Sequence, residues 1–266
     1  MVEILSVSDP ADPRVAGFRD VRERDLVGRA GMFVAEGEVV LKTLVEGRSP
    51  HRLSALLIAD KRIAGLMSLL ERLPAGVPVY AASQPVMDGT VGFAIHRGIL
   101  GLGVRAPEPD LATALAALPA RATVAVLSGI ANHDNLGGIF RNAAGFGVDL
   151  VALDSDCCDP LYRKAIRVSV GAALTVPTVR GGRIADILER LAAAGFDLLG
   201  LSPQGATPLA DYVRAARVAA VFGAEGPGLS PQALARTRTL RIPMAAGFDS
   251  LNVATTAGIV LHHLMR

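Results

Sequence analysis

Three loops in the second half of the chain gather side chains that could do chemistry together. The first reads Asn132-His133-Asp134-Asn135-Leu136-Gly137-Gly138-Ile139-Phe140-Arg141-Asn142, between an apolar run and a helical one. Gly137 and Gly138 let backbone approach a ligand closely, and Asn135 offers both a donor and an acceptor. Arg141 comes one helical turn after Gly137, so it can turn back toward the same cleft. The second loop, residues 222–230, sets one acid, Glu225, among Gly223, Gly226, Pro227 and Gly228. An acid there can accept hydrogen bonds from a polar ligand or orient a basic group. The third runs from Ile242-Pro243-Met244 to Ser250-Leu251-Asn252-Val253. Ser250 is placed to cap the final helix, with Asn252 in the first turn facing the cleft. Taken singly, each loop also reads as a capped helix or a tight turn.

Two common nucleotide motifs are absent from these loops. The glycines at 223, 226 and 228 follow the order G-x-x-G-x-G, late in the chain and without a fitting acid downstream, which is not a dinucleotide fingerprint. No G-K-[ST] follows them, so there is no phosphate-binding P-loop. Cys157 and Cys158 are adjacent and have neither metal nor redox spacing. They read as small buried or half-buried residues of a reduced, cytoplasmic protein.

These loops need a scaffold of alternating elements. In the first part, strands are expected at residues 32–35, 53–59, 77–81 and 96–104. Helices are expected at 38–45 and 62–73, with a short one after Gln84. The second part is more apolar. Strands are expected at 123–127, 149–153, 197–201, 218–222 and 240–242. Helices are expected at 137–146, 162–173, 183–194, from Pro231, and at 251–264. This predicts an α/β protein: a small N-terminal α/β domain at 1–105, a proline-bearing linker at 106–120 and a C-terminal domain at 121–266. The second domain is an open, mostly parallel sheet with helices on both faces. Ligands of such sheets bind beyond the C-terminal strand ends, where the three loops fall.

The 266 residues carry 27 basic and 25 acidic side chains, a net charge of +2. Bulk positive charge is therefore excluded as a way of binding nucleic acid, and only a local patch can serve. The charge divides into +1 over 1–105, −2 over the linker and +3 over 121–266. Of the basic residues 24 are arginines, a composition suited to bidentate phosphate contacts and equally to a GC-rich genome. Arg14, Arg19, Arg22, Arg24 and Arg29 cluster early, but Glu23 and Asp25 lie among them, as on a solvated amphipathic helix. With 51% hydrophobic residues the chain is not disordered. No run reaches the roughly 18 uninterrupted apolar residues that a membrane-spanning helix requires. The first 14 residues hold acids and prolines where a signal peptide would be basic and then apolar.

Taken in order, N-x-G-x-I-x-R-N, then G-x-E-G-x-G, then I-P-M with S-L-N-V resemble the three signature motifs of the SpoU (TrmH-like) RNA 2′-O-ribose methyltransferases of the SPOUT superfamily. The segment Arg163-Lys164-Ala165-Ile166-Arg167-Val168-Ser169-Val170-Gly171-Ala172 is similar to the family's stretch between motifs one and two. The match covers residues 121–266. A looser likeness, through Phe33-Val34-Ala35-Glu36-Gly37 and His96-Arg97-Gly98, links the first part to the family's substrate-binding domain.

The resemblance implies a C-terminal trefoil knot that binds S-adenosylmethionine, a homodimer with the site at the subunit interface, and methyl transfer to a ribose hydroxyl of RNA. Arg141, Asn135, Glu225, Ser250 and Asn252 match its catalytic positions. Glu225 is expected to orient Arg141 or Asn135, and Ser250 and Asn252 to position Arg141 and the ribose phosphate. Arginine stays protonated, so Arg141 is better suited to hold a phosphate or a developing alkoxide than to act as base. Gly223, Ile242 and Leu251 match the cofactor positions, with Met244, Leu201 and Ser202 as neighbours. No metal or membrane partner is implied. The expected substrate is ribosomal RNA. The alternatives are transfer RNA, a catalytically silent RNA-binding protein on the same fold, or a nucleotide-dependent oxidoreductase on a doubly wound sheet.

Overall fold

A computed structural model describes residues 3–19, 31–246, 248 and 250–265. Arg22, Arg24 and Arg29, on the expected amphipathic helix, lie outside the described residues. The chain forms two compact units. One comprises Met1–Ala106 and Asp159–Thr175; the other comprises Pro107–Cys158 and Val176–Arg266.

The first unit is built on a five-stranded mixed sheet: β1 (Ile4–Val7), β2 (Met32–Glu36), β3 (Arg52–Ala59), β4 (Val79–Ala82) and β5 (Ile99–Val104), in the order β1-β4-β3-β5-β2. β1, β4 and β3 run parallel, and β5 is antiparallel to both β3 and β2. Side chains alternate between two apolar layers, as strand geometry requires. Phe33, Ala35, Leu56 and Ile58 face one layer with α1 (Glu38–Val45) and α2 (Ile63–Leu70). Val34, Ala55, Leu57, Leu100 and Leu102 face the other, with Phe18 and α3 (Gln84–Val91).

Leu161, Ile166 and Leu174 complete the first layer, so Asp159–Thr175 folds with this unit although its sequence lies between two loops of the other. Two ion pairs fasten it there. Arg105 Nη2 meets both Asp159 carboxylate oxygens at 2.7 and 2.6 Å, and Arg163 Nη1 meets Glu36 Oε2 at 2.8 Å. The single helix expected at 162–173 is interrupted. α6 (Arg163–Val168) stops, Val170 and Gly171 take positive φ, and a 3-10 turn follows at Ala172–Leu174.

The second unit holds a seven-stranded parallel sheet. Its strands are β6 (Ala122–Leu127), β7 (Leu150–Leu153), β8 (Thr178–Arg180), β9 (Asp197–Leu201), β10 (Thr207–Pro208), β11 (Arg217–Phe222) and β12 (Arg238–Arg241). The order is β10-β12-β9-β11-β6-β7-β8. One face packs on α4 (Leu111–Ala116), α7 (Ile184–Ala193) and α8 (Pro231–Leu234) through Leu115, Ile187, Leu188, Leu191 and Ala233. α5 (His133–Gly145) and α9 (Val253–Met265) pack on each other, and α9 also touches β11. Their crossing is close: a Cβ at Gly138 would stand 2.7 Å from that of Ala254. β1, β8 and β10 escape a reading by pattern because two to four residues show no periodicity.

Strand order reverses after β8. The chain runs outward through β6, β7 and β8, then returns to lay β9, β11 and β12 on the other side of β6. Loops leaving the C-terminal ends of β6, β9, β11 and β12 therefore meet at this switch, where open parallel sheets leave a crevice.

Candidate active site

A cavity of about 470 Å³ opens at the C-terminal ends of β9, β11 and β12. All six residues expected to contact a cofactor, Gly223, Ile242, Leu251, Met244, Leu201 and Ser202, line it. So do Glu225, Ser250 and Asn252. Thr256 also lines it and was not singled out from the sequence; it lies one helical turn after Asn252 on the same face of α9.

Local backbone explains how Glu225 is presented. After β11 the chain makes a tight return in which Gly228 N–H donates to Ala224 O at 3.0 Å. The returning strand passes so near that a Cβ on Gly223 would lie 2.3 Å from Gly228 C and Leu229 N, so only glycine fits. Glu225 is left at the tip of this turn.

Asn135 is 6% exposed and sits under the cavity wall. Its Nδ2 donates to Glu225 Oε2 at 2.9 Å, and its Oδ1 accepts from Asn252 Nδ2 at 2.7 Å. One buried amide thus joins loops 117 residues apart, with both its ends engaged and its orientation determined. Asn252 Oδ1 accepts from Ala254 N at 2.9 Å and Thr255 N at 3.4 Å. Asn252, not Ser250, is therefore the N-cap of α9, because the helix begins at Val253. Ser250 is exposed at the cavity rim.

The first loop starts its helix earlier than expected. Asn132 Oδ1 accepts from Asp134 N at 2.8 Å and Asn135 N at 3.4 Å, so α5 begins at His133. This leaves Asn135 in the first turn. Glu225 holds Asn135 rather than Arg141. Arg141 is exposed, lies outside the cavity lining and has no hydrogen-bond partner among the described residues. Further along α5, Asn142 Nδ2 donates to Ala254 O at 2.7 Å, fastening α5 to α9 beside the site.

The loop after β9 is tied to β12. Ser202 N donates to Leu240 O, and Arg241 Nη1 donates to the carbonyls of Gly205 and Ala206, both at 2.7 Å. Arg241 thereby holds the wall that Leu201 and Ser202 present to the cavity. Among the described residues, the cavity lining includes one carboxylate, Glu225, and neither Lys nor Arg. Cys157 lies apart from it. Burial pushes its thiol up to about 12, and its Sγ donates to Leu127 O at 3.3 Å. Among the described residues no His, Cys, Asp and Glu cluster is arranged to hold a metal, and no helix is long and apolar enough to cross a membrane.

An all-parallel sheet with a cleft at its switch point defines an α/β protein of the ligand-binding kind. The model of the SpoU rRNA Methylase family matches residues 122–262, and the chain belongs to that family. It is 42% identical to the Mycobacterium tuberculosis protein named uncharacterised tRNA/rRNA methyltransferase Rv0881, over all of this chain and 93% of the relative. It is 31% identical to the Escherichia coli 23S rRNA (guanosine-2′-O-)-methyltransferase RlmB, over 82% of this chain and 92% of the relative. Among solved structures, an AdoMet-bound rRNA methyltransferase from Sinorhizobium meliloti superposes with a TM-score of 0.83 at 20% identity. That superposition covers 98% of this chain and 97% of the other, and shows a shared fold.

Proposed function

We propose that the protein is an S-adenosylmethionine-dependent RNA 2′-O-ribose methyltransferase acting on ribosomal RNA. One observation carries this reading: the Asn135 amide unites the three motif loops around a single cavity. Family membership and the likeness to RlmB support the reaction, and the names of the relatives support RNA as substrate. They leave transfer RNA as the alternative substrate.

The cavity suits the cofactor. A sulfonium cation is compatible with a lining whose described residues include the carboxylate of Glu225 and neither Lys nor Arg. A dinucleotide suits it less, because the Asn252 side chain already occupies the N–H groups of the first turn of α9 that a phosphate would use. Ile242, Met244, Leu251 and Leu201 supply apolar surface for an adenine, and Gly223 leaves backbone accessible beside it. When bound, the cofactor supplies an electrophilic methyl group. The ribose hydroxyl is a weak nucleophile and must be aligned with that group and relieved of its proton.

Asn135, Glu225 and Asn252 fix the loops that set this alignment. Arg141, exposed and outside the cavity, is free to grip the RNA phosphate or stabilise the developing alkoxide. We further read the enzyme as a cytoplasmic homodimer with a trefoil knot. Leu251 on the cavity lining, with Phe248 before it and Ile259 and Met265 further along α9, is exposed and supports the dimer, and membership of the SpoU family supports the knot. Calorimetric titration with S-adenosylmethionine and with NAD tests the cofactor: binding of the first alone is expected. Binding of NAD alone contradicts the reading.

A further inference from the structure

Val170 is the only non-glycine residue with positive φ among the described residues, at 56°. That conformation is a genuine outlier for a β-branched side chain, and it persists only where the surroundings enforce it. They do so here. Ser169 is buried; its Oγ donates to Ile166 O at 3.0 Å and accepts from Ala173 N at 3.1 Å. Gly171, at φ 85°, lies against Val40 and Thr43 of α1, where a Cβ would meet Thr43 Oγ1 at 3.3 Å. Ile166 and Leu174 anchor the loop from both sides in the core.

The strain brings no burial in return, since Val170 is 42% exposed. The next exposed positions along α6 are Arg167 and Lys164, spaced three residues apart on one face. Arg163 turns away from this face, to Glu36 and to the face of Phe93 at 4.2 Å. A rigid, solvent-facing aliphatic tip beside two cations therefore stands on the first unit.

We propose that this tip is a contact for a single-stranded segment of the RNA substrate, resting on the RNA reading above. Arg167 takes a phosphate, and the Val170 side chain packs on an unstacked base. Single-stranded RNA offers such bases, splayed out of the stack with an apolar face that a side chain can cover. A protein partner fits less well: one small apolar side chain at the end of a row of cations gives it little area to bury.

Val170→Gly tests this, because glycine adopts the left-handed conformation without cost. With ribosomal RNA extracted from a strain lacking the gene, the variant should show a higher Tm than the wild type. Its KM for that RNA should rise about tenfold, with the affinity for S-adenosylmethionine unchanged. Val170→Asn, which also tolerates this conformation, should behave alike. Arg167→Gln should reduce the slope of log affinity against log salt by about 0.7, the loss of one phosphate contact on a single strand. An unchanged KM in both Val170 variants overturns the proposal, as does an unchanged salt slope. Wild-type protein that methylates no RNA overturns the reading of function instead.

Discussion

The side chain of Asn252 has two tasks, and they can be separated. Its oxygen caps α9, and its nitrogen holds Asn135. Asn252→Ser should keep the cap, with stability within about 0.5 kcal/mol, because serine caps helices nearly as well. It should lose the amide bond, so turnover should fall about tenfold, near the roughly 1.4 kcal/mol expected for one hydrogen bond. Asn252→Ala should lose both and unfold at lower denaturant. Arg141 stands differently. As an exposed residue outside the cavity, its change to alanine should alter stability by less than about 0.5 kcal/mol. We expect Arg141→Ala to abolish methyl transfer while calorimetry shows the cofactor bound as before; normal turnover would remove the role assigned to it. Cys157, with a thiol raised to about 12 by burial, stays protonated at pH 8. It should resist iodoacetamide in the folded protein and react after unfolding, as fragment mass spectrometry would show. At this scale the residue types in the motifs were legible in the sequence. Which residue caps α9 was not, because Ser250 and Asn252 are both good caps and only the position of the helix start separates them.

At the scale of elements, long apolar strands were readable. The continuous apolar run of β6 and the helix closed by Gly195 needed no tertiary information. The break at Val170 could not be read, because it depends on the packing of Gly171 against Val40 and Thr43 of α1. The assignment of Asp159–Thr175 to the first unit was likewise hidden, since it rests on pairs such as Arg163 and Glu36, 127 residues apart. The attachment of α9 gives an element-scale test. Arg214 sends Nε to Leu264 O at 2.7 Å, Nη1 to Ala215 O at 2.7 Å and Nη2 to Thr123 Oγ1 at 3.0 Å. It thus ties the end of the last helix to the start of β6. Burial lowers its ability to hold a proton, but the carbonyl oxygens around it favour the charged fork. Arg214→Ala should cost about 2–3 kcal/mol, read from a urea transition, through carbonyls left without a donor. A change below 0.5 kcal/mol, within the range of an ordinary surface substitution, would show that α9 is held by its apolar face alone.

For the whole molecule, a net charge of +2 limits nonspecific affinity for RNA, so recognition must come from placed contacts rather than from a field. The second unit gathers three loops around one cleft, and the first carries a strained tip beside two cations. The reaction proposed for these parts is transfer of a methyl group to a ribose oxygen. Its most direct measurement uses S-adenosylmethionine labelled in the methyl group and ribosomal RNA from a strain lacking the gene, followed by alkaline hydrolysis. A 2′-O-methyl group removes the hydroxyl that attacks the neighbouring phosphodiester. Label is expected in alkali-stable dinucleotides. Label confined to mononucleotides, or cofactor binding with no transfer to the RNA, would contradict it.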